Sequence, residues 1–333
     1  MLRLGEKLMP ADPLFSTLRI STIVLCMVTA ARSDYETLHV RDSHWVKWAV
    51  PASLLLASEL VTNNSGLENI FMVAALVSAF SICFVKPPDP RKAREWSRID
   101  ASVFSLFIMG ALGLVGGALS YSDTNFVDLV LGDESTEVTL WWSLLGALLT
   151  IAFFLSAWAV GLIQGGADVK ALALVTLVFP SWAFIPDQMY PLGEEAIFRV
   201  PPAMAMFLWA GAVFLIAPPV ILLRNAYLGN IGEISDLKMA WHATKKPVSE
   251  LEEGKSWVLT EVSEKDGKER VVNRILPSKQ SISQGITPNQ KERLNSLGIE
   301  SVWVASKHPF LVYLFLAIFP LLLFGDPIAP FFR

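Results

Sequence analysis

The sequence predicts an all-α polytopic membrane protein of about eight transmembrane helices, with a small α/β cytoplasmic module inserted before the last helix. Three observations carry this. Hydrophobic residues make up 53% of the chain and charged residues 17%, with mean hydropathy +0.47, against about 45–50% and about 25% in soluble domains. The apolar residues gather into eight runs, several near the roughly 20 residues that cross a hydrocarbon core. One long polar stretch, 224–308, separates the seventh run from the eighth. The chain thus divides into a membrane core over 1–223, a cytoplasmic module over 224–308 and a C-terminal transmembrane helix over 309–333.

The runs lie near 14–31, 48–62, 67–85, 102–121, 140–163, 171–185, 202–223 and 309–325. Three are interrupted: Glu59 lies in the second, Pro180 in the sixth and Pro218-Pro219 in the seventh. Such breaks are tolerated where neighbouring helices satisfy the freed backbone groups. The first run lacks a small-x-small cleavage signature and reads as a retained helix. Loop charge sets the orientation. Arg32, Arg41 and Lys47 follow the first run, and Lys86, Arg91, Lys92, Arg94 and Arg98 follow the third. By contrast, 62–69 has no Lys or Arg, and 122–139 carries Asp123, Asp128, Asp133, Glu134 and Glu137. The positive-inside rule places loops 32–47, 86–101 and 164–170 and the segment 224–308 in the cytoplasm, with both termini outside. The expected location is the plasma membrane, with the chain crossing it several times.

Within 224–308, basic and acidic residues are mixed and nearly balanced, unlike a polybasic lipid-binding tract. Trp257 to Val262 and Arg270 to Ile275 read as strands around Lys265-Asp266-Gly267-Lys268, a hairpin turn signal. Thr287-Pro288 opens a helix that Gly298 closes, and Ser301 to Ala305 reads as another strand.

Several chemistries lack a sequence signal. Net charge is -4, so no basic field points to nucleic acid. The two cysteines, Cys26 and Cys83, form neither a disulfide framework nor a CxxC metal pair. His39, His44, His242 and His308 have no metal-ligand spacing. Neither a metal nor an organic cofactor is expected. No Ser/His/Asp arrangement, phosphate loop or dinucleotide fingerprint stands out.

Charge beside a bilayer is costly, which directs the search to membrane-edge acids. Asp34 follows the first run in Ser33-Asp34-Tyr35-Glu36-Thr37, and Asp168 precedes the sixth in Gly165-Gly166-Ala167-Asp168-Val169-Lys170. Loop charges alone put both on one membrane face. Two carboxyls brought to about 3 Å share a proton, so one can activate water while the other donates to a carbonyl oxygen. Gly165 and Gly166 are expected to end a helix, turn the backbone and admit an extended peptide. Bland readings stand beside these: Asp168 as a helix cap, Asp34 as a solvated loop acid, Lys170 as an interfacial anchor, Glu59 as an interfacial acid, and Trp141-Trp142 as part of an aromatic belt.

Gly165-Gly166-Ala167-Asp168, with Ala171-Leu172-Ala173-Leu174 and Phe179-Pro180 beyond it, resembles the Gly-x-hydrophobic-Asp motif of the archaeal type IV prepilin/preflagellin peptidase family. These are membrane aspartyl proteases. Asp34, with Val40 and Asp42-Ser43-His44-Trp45 after it, is similar to the family's first catalytic region. Ser301-Val302-Trp303-Val304, Lys307-His308-Pro309-Phe310 and Gly325-Asp326 are similar to the C-terminal stretch of the archaeal branch. The resemblance implies that Asp34 and Asp168 form the catalytic pair, that Gly165 is the motif glycine, and that Gly166, Ala167 and Lys170 belong to the site. It implies prepilin or preflagellin precursors as substrates, cut from their class III signal peptides at the cytoplasmic face, with the lipid bilayer as the other partner. Glu36 and Asp42 are candidates to attract the basic leader. The sequence departs from the family at Arg41-Asp42, where Pro-Asn often follows the first Asp. It also lacks the cysteine tetrad by which bacterial members bind zinc. Two other readings fit the same features: an ion-coupled transporter or channel using Asp168 and Glu59, and a catalytically inactive scaffold of a pilus or secretion machine that docks through 224–308.

Overall fold

A computed structural model describes residues 12–131, 134–192, 199–251, 256–265, 268–276, 288–306 and 309–332. Its contacts divide the chain into two compact units, one formed by Met1–Gly211 with Pro309–Arg333 and the other by Ala212–His308. The helices in chain order are α1 (Pro13–Thr37), α2 (Asp42–Thr62), α3 (Leu67–Ser81), α4 (Arg98–Ser120), α5 (Phe126–Leu131), α6 (Thr136–Ala159), α7 (Gly166–Val178), α8 (Pro202–Phe214), α9 (Ala217–Tyr227), α10 (Leu237–Ala240), α11 (Pro288–Ser296) and α12 (Phe310–Phe324). The strands are β1 (Thr244–Pro247), β2 (Ser256–Val258), β3 (Thr260–Lys265), β4 (Lys268–Asn273) and β5 (Ser301–Ser306).

Each of the eight apolar runs contains a helix. Among the described residues, four helices are long and apolar enough to cross a membrane: α1, α4, α6 and the rod Pro202–Tyr227 that joins α8 to α9. The other runs fall short for visible reasons. Polar α2 carries Asp42, Lys47 and Glu59, whereas α3, α7 and α12 are only 15, 13 and 15 residues long. Pro180 does not kink the sixth run but ends it, because the residue before a proline is pushed out of the helical region; α7 stops at Val178.

Short α7 is the centre of the first unit. Val169 and every residue from Ala171 to Val178 are buried. Neighbours α1, α2, α3, α6 and α12 pack around it. A helix apolar on all sides belongs inside a protein, where neighbours rather than lipid thickness set its length. Towards the rim, α4 lies close against α3 through small residues. A Cβ on Gly110 would come within 2.6 Å of the Ala75 Cα, and one on Gly113 within 2.7 Å of the Phe71 carbonyl carbon. Trp141 of α6 completes this seam. Its indole N–H donates to the Gly113 carbonyl at 3.1 Å, and its ring fills the space a side chain on Gly117 would need. Trp141 is therefore a packing residue, not a member of an interfacial belt. The acidic loop before α6 also has an internal use: the Glu137 carboxylate accepts from the Gly66 backbone N–H at 2.9 Å and from the Asn69 amide at 2.6 Å.

In the second unit, β1, β5 and β2 form an antiparallel sheet in that order, and β3 pairs with β4 as a hairpin with Lys265 opposite Lys268. The turn residues 266 and 267 lie outside the described residues, as does Thr287, the expected start of α11. The run Trp257 to Val262 is two strands rather than one. Trp257 pairs with Ala305 of β5, and Val262 pairs with Val271 of β4. The helix closed by Gly298 and the strand opened by Ser301 stand where the sequence places them; Gly298 has φ +72°, a conformation suited to glycine. This unit begins within α8 rather than at residue 224. From α9, Leu222 packs on a cluster with Met239, Ala240 and Trp303. The fully buried Asn225 donates to the Ala240 and Ala243 carbonyls at 2.7 and 2.6 Å.

Candidate active site

The end of α1, the start of α2, the start of α7 and the start of α12 supply the groups of the candidate site. Asp34 lies in the last turn of α1 rather than beyond it, and its carbonyl accepts from the Leu38 N–H, which closes the helix. Leu38 adopts a left-handed conformation. The Ser33 and Thr37 hydroxyls donate to the His39 carbonyl at 2.8 and 2.9 Å, fixing the turn into α2. The backbone N–H of Leu311, in the first turn of α12, acts electrostatically on the Asp34 carboxyl.

Gly165 caps the start of α7, and the Asp168 N–H donates to its carbonyl at 3.1 Å. The expectation that Gly165 and Gly166 end a helix is corrected here. They begin α7, while α6 ends at Ala159 and its exit passes through Gly161 at φ +76°. Gly165 has φ -82°, so its backbone does not demand glycine. Its missing side chain does the work instead, because a Cβ there would overlap Oδ2 of Asp168, whose carboxyl folds back over the glycine. At Gly166 a Cβ would meet the Trp158 ring at 3.1 Å.

Asp34 and Asp168 are both half-buried. They are close enough for the charge of one to act on the other. Burial pushes the Asp168 carboxyl up to about 7, and the neighbouring Asp34 charge adds to the effect. Such a carboxyl holds its proton near neutrality, which suits an acid that must donate.

The remaining predicted residues are placed as follows. Ala167 is half-buried in the first turn of α7, between Gly166 and Asp168. Lys170 is a tether between helices rather than an interfacial anchor. Its ammonium pairs with Asp42 of α2 at 2.6 Å and lies 5.2 Å from the centre of the Phe84 ring. Glu36 pairs with Arg32 one turn back, at 2.9 Å on an exposed face. Both acids assigned to attracting a leader thus already have a cationic partner.

Glu59 departs furthest from its sequence reading. It is buried, not interfacial, and pairs at 2.6 Å with the fully buried Arg19 of α1. The guanidinium also donates to the Val178 carbonyl, left free where α7 ends ahead of Pro180, and lies 4.9 Å from the centre of the Phe184 ring. Arg19 went unnoticed in the sequence, although an arginine inside an apolar run was the available signal. Leu311 left no such signal, because its contribution is a backbone amide.

No family model matches this chain, and neither curated proteins nor solved structures provide a match.

Proposed function

We propose that this chain is a multi-pass aspartyl endopeptidase of the prepilin/preflagellin type, which removes class III signal peptides at the cytoplasmic membrane face. The observation that supports it best is that the charge of Asp34 reaches the carboxyl of Asp168. These acids come from different helices, at the end of the bundle where basic loops lie, and interact through their charges. In this reading the ionised member takes a proton from water while its oxygen attacks the scissile carbonyl, and the protonated member donates to the carbonyl oxygen. The peptide nitrogen leaves with a proton from the dyad. Four of the eight apolar runs already have spanning length, and we assign the shorter α2, α3, α7 and α12 to the same membrane-embedded bundle. The rival ion path is weakened by the Arg19–Glu59 pair, which leaves Glu59 bound to a counter-charge rather than free to carry ions.

The test incubates the full chain in nanodiscs with a tagged pilin precursor. Cleavage appears as a mobility shift. Asp34→Asn and Asp168→Asn each reduce it by at least about 10³-fold, while a chelator leaves it unchanged. An undiminished shift in both variants would discard the dyad.

A further inference from the structure

The turn before α3 gathers oxygen atoms that lack a counter-charge. Gly66, the N-cap of α3, has φ -57°, so its conformation does not demand glycine. A Cβ there would meet Oε2 of Glu68 at 2.7 Å, Oε2 of Glu137 at 3.4 Å and the Tyr121 hydroxyl at 3.7 Å. Groups from the first turns of α3 and α6 and from the C-cap of α4 thus converge beside one bare α-carbon. The Ser120 hydroxyl donates to Oε1 of Glu68 at 3.2 Å, and the Gly66 N–H and the Asn69 amide donate to Oε2 of Glu137. Among the described residues, Oε2 of Glu68 and Oε1 of Glu137 accept no hydrogen bond, and neither carboxylate has a cationic partner. No lysine or arginine occurs between Lys47 and Lys86 or between Arg98 and Lys170, so α3, α6 and the last turns of α4 supply no cation.

Asn69 is an observation independent of the acids. It is fully buried, and its Oδ1 has no hydrogen-bond partner. Its Nδ2 donates to Oε2 and to the backbone carbonyl of Glu137, at 2.6 and 3.2 Å. Turning the amide over would set Oδ1 against those two acceptors, so the orphan oxygen is held beside the Glu137 carboxylate. The first turns of α3 and α6 favour the two carboxylates, yet a buried amide oxygen still needs a donor or a cation.

We propose that Glu68, Glu137 and Asn69 form a calcium site in the space that Gly66 keeps open. Calcium takes about six to eight oxygen ligands in flexible geometry, whereas magnesium demands a near-ideal octahedron. Two carboxylates and one amide leave the other positions to water, and so few charges make a weak site, with Kd about 10⁻⁴–10⁻³ M. The ion ties α3 to α6. The 21 residues of α2, about 30 Å of helix, separate this turn from the one that follows Asp34. Calcium therefore acts on stability rather than on cleavage, and the site does not depend on the peptidase reading.

Terbium is the probe, an oxygen-seeking ion that emits when a nearby aromatic ring is excited. Tyr121 stands at the site, and its ring centre lies 6.0 Å from that of Trp141. The full chain in phosphatidylcholine liposomes is expected to show terbium emission on tryptophan excitation. Calcium on the order of 10⁻³ M displaces it, and magnesium does so at least about tenfold less effectively. Glu68→Gln and Gly66→Ala each weaken terbium binding at least about tenfold. Asp123→Asn, on an exposed acid outside the cluster, leaves it unchanged. No emission from the wild type, equal competition by magnesium, unchanged binding in Glu68→Gln or loss in Asp123→Asn overturns the proposal. The wild type gives a second test, which decides if the variants do not fold. Calcium at about ten times its Kd raises the melting temperature by about 3 °C, and a chelator reverses the rise. An unmoved melting temperature overturns the proposal.

Discussion

A glycine that leaves room for its neighbour's carboxyl makes a sharper demand than one that turns a chain. Gly165 stands three residues before Asp168, and its bare α-carbon is where that carboxyl rests. Gly165→Ala therefore forces the carboxyl to a new position while keeping the acid itself. Misplacing a catalytic group by about 1 Å lowers the rate by about a hundredfold. That is the expected loss in single-turnover cleavage, with the melting temperature near that of the wild type. Gly166→Ala is the control: its Cβ would press on the edge of the Trp158 ring, which can give by a few tenths of an ångström. Its rate is expected within about threefold of the wild type. Both acids were legible in the sequence because they border apolar runs, and loop charges put them on one face. The purpose of Gly165 was not legible. A glycine motif looks the same whether it serves a turn, an approaching chain or a side chain folding back.

Helices α1, α2 and α7 are joined at the end remote from the two acids by Arg19 and Glu59. A buried ion pair is weak evidence for net stability, but removing one partner strands a charge and costs about 3–5 kcal/mol. Glu59→Gln alone is thus expected to lower unfolding stability in bicelles by that amount. The double variant Arg19→Met with Glu59→Leu recovers most of the loss, apart from the Val178 carbonyl that Arg19 had satisfied. A melting curve that falls equally for the single and double variants would show that packing rather than charge is at issue. Such a pairing is hard to read from one sequence. Glu59 stood out as a lone acid, yet its partner lies forty residues earlier on another helix, and only the rotation of α1 against α2 brings them together. Element limits were more legible. Gly298 marked a real helix end, whereas Pro180, read as an interruption within the sixth run, ends α7 instead.

On the scale of the whole chain, hydropathy found a helix in each of the eight apolar runs, and four helices among the described residues have spanning length. A buried helix and a lipid-facing one share a composition and differ in their neighbours. The polar unit was likewise recognised by its composition, yet its beginning was misplaced because α9 is apolar and still packs Leu222 with Met239 and Trp303. The two cysteines are buried and add little background to thiol labelling. In intact cells, a cysteine replacing Asp123 is expected to react with a membrane-impermeant maleimide, while one replacing Lys92 reacts only after lysis. The reverse pattern would move the two acids to the outer face.

Enclosure of α7 has a mechanical consequence. A rod that touches lipid tilts when bilayer thickness changes, because its hydrophobic length must match its surroundings. With other helices on every side, α7 is shielded from that stress, and its depth is set by its neighbours. The acid at its tip therefore keeps its height as membranes grow thinner or thicker, while the peripheral α4 takes up the mismatch.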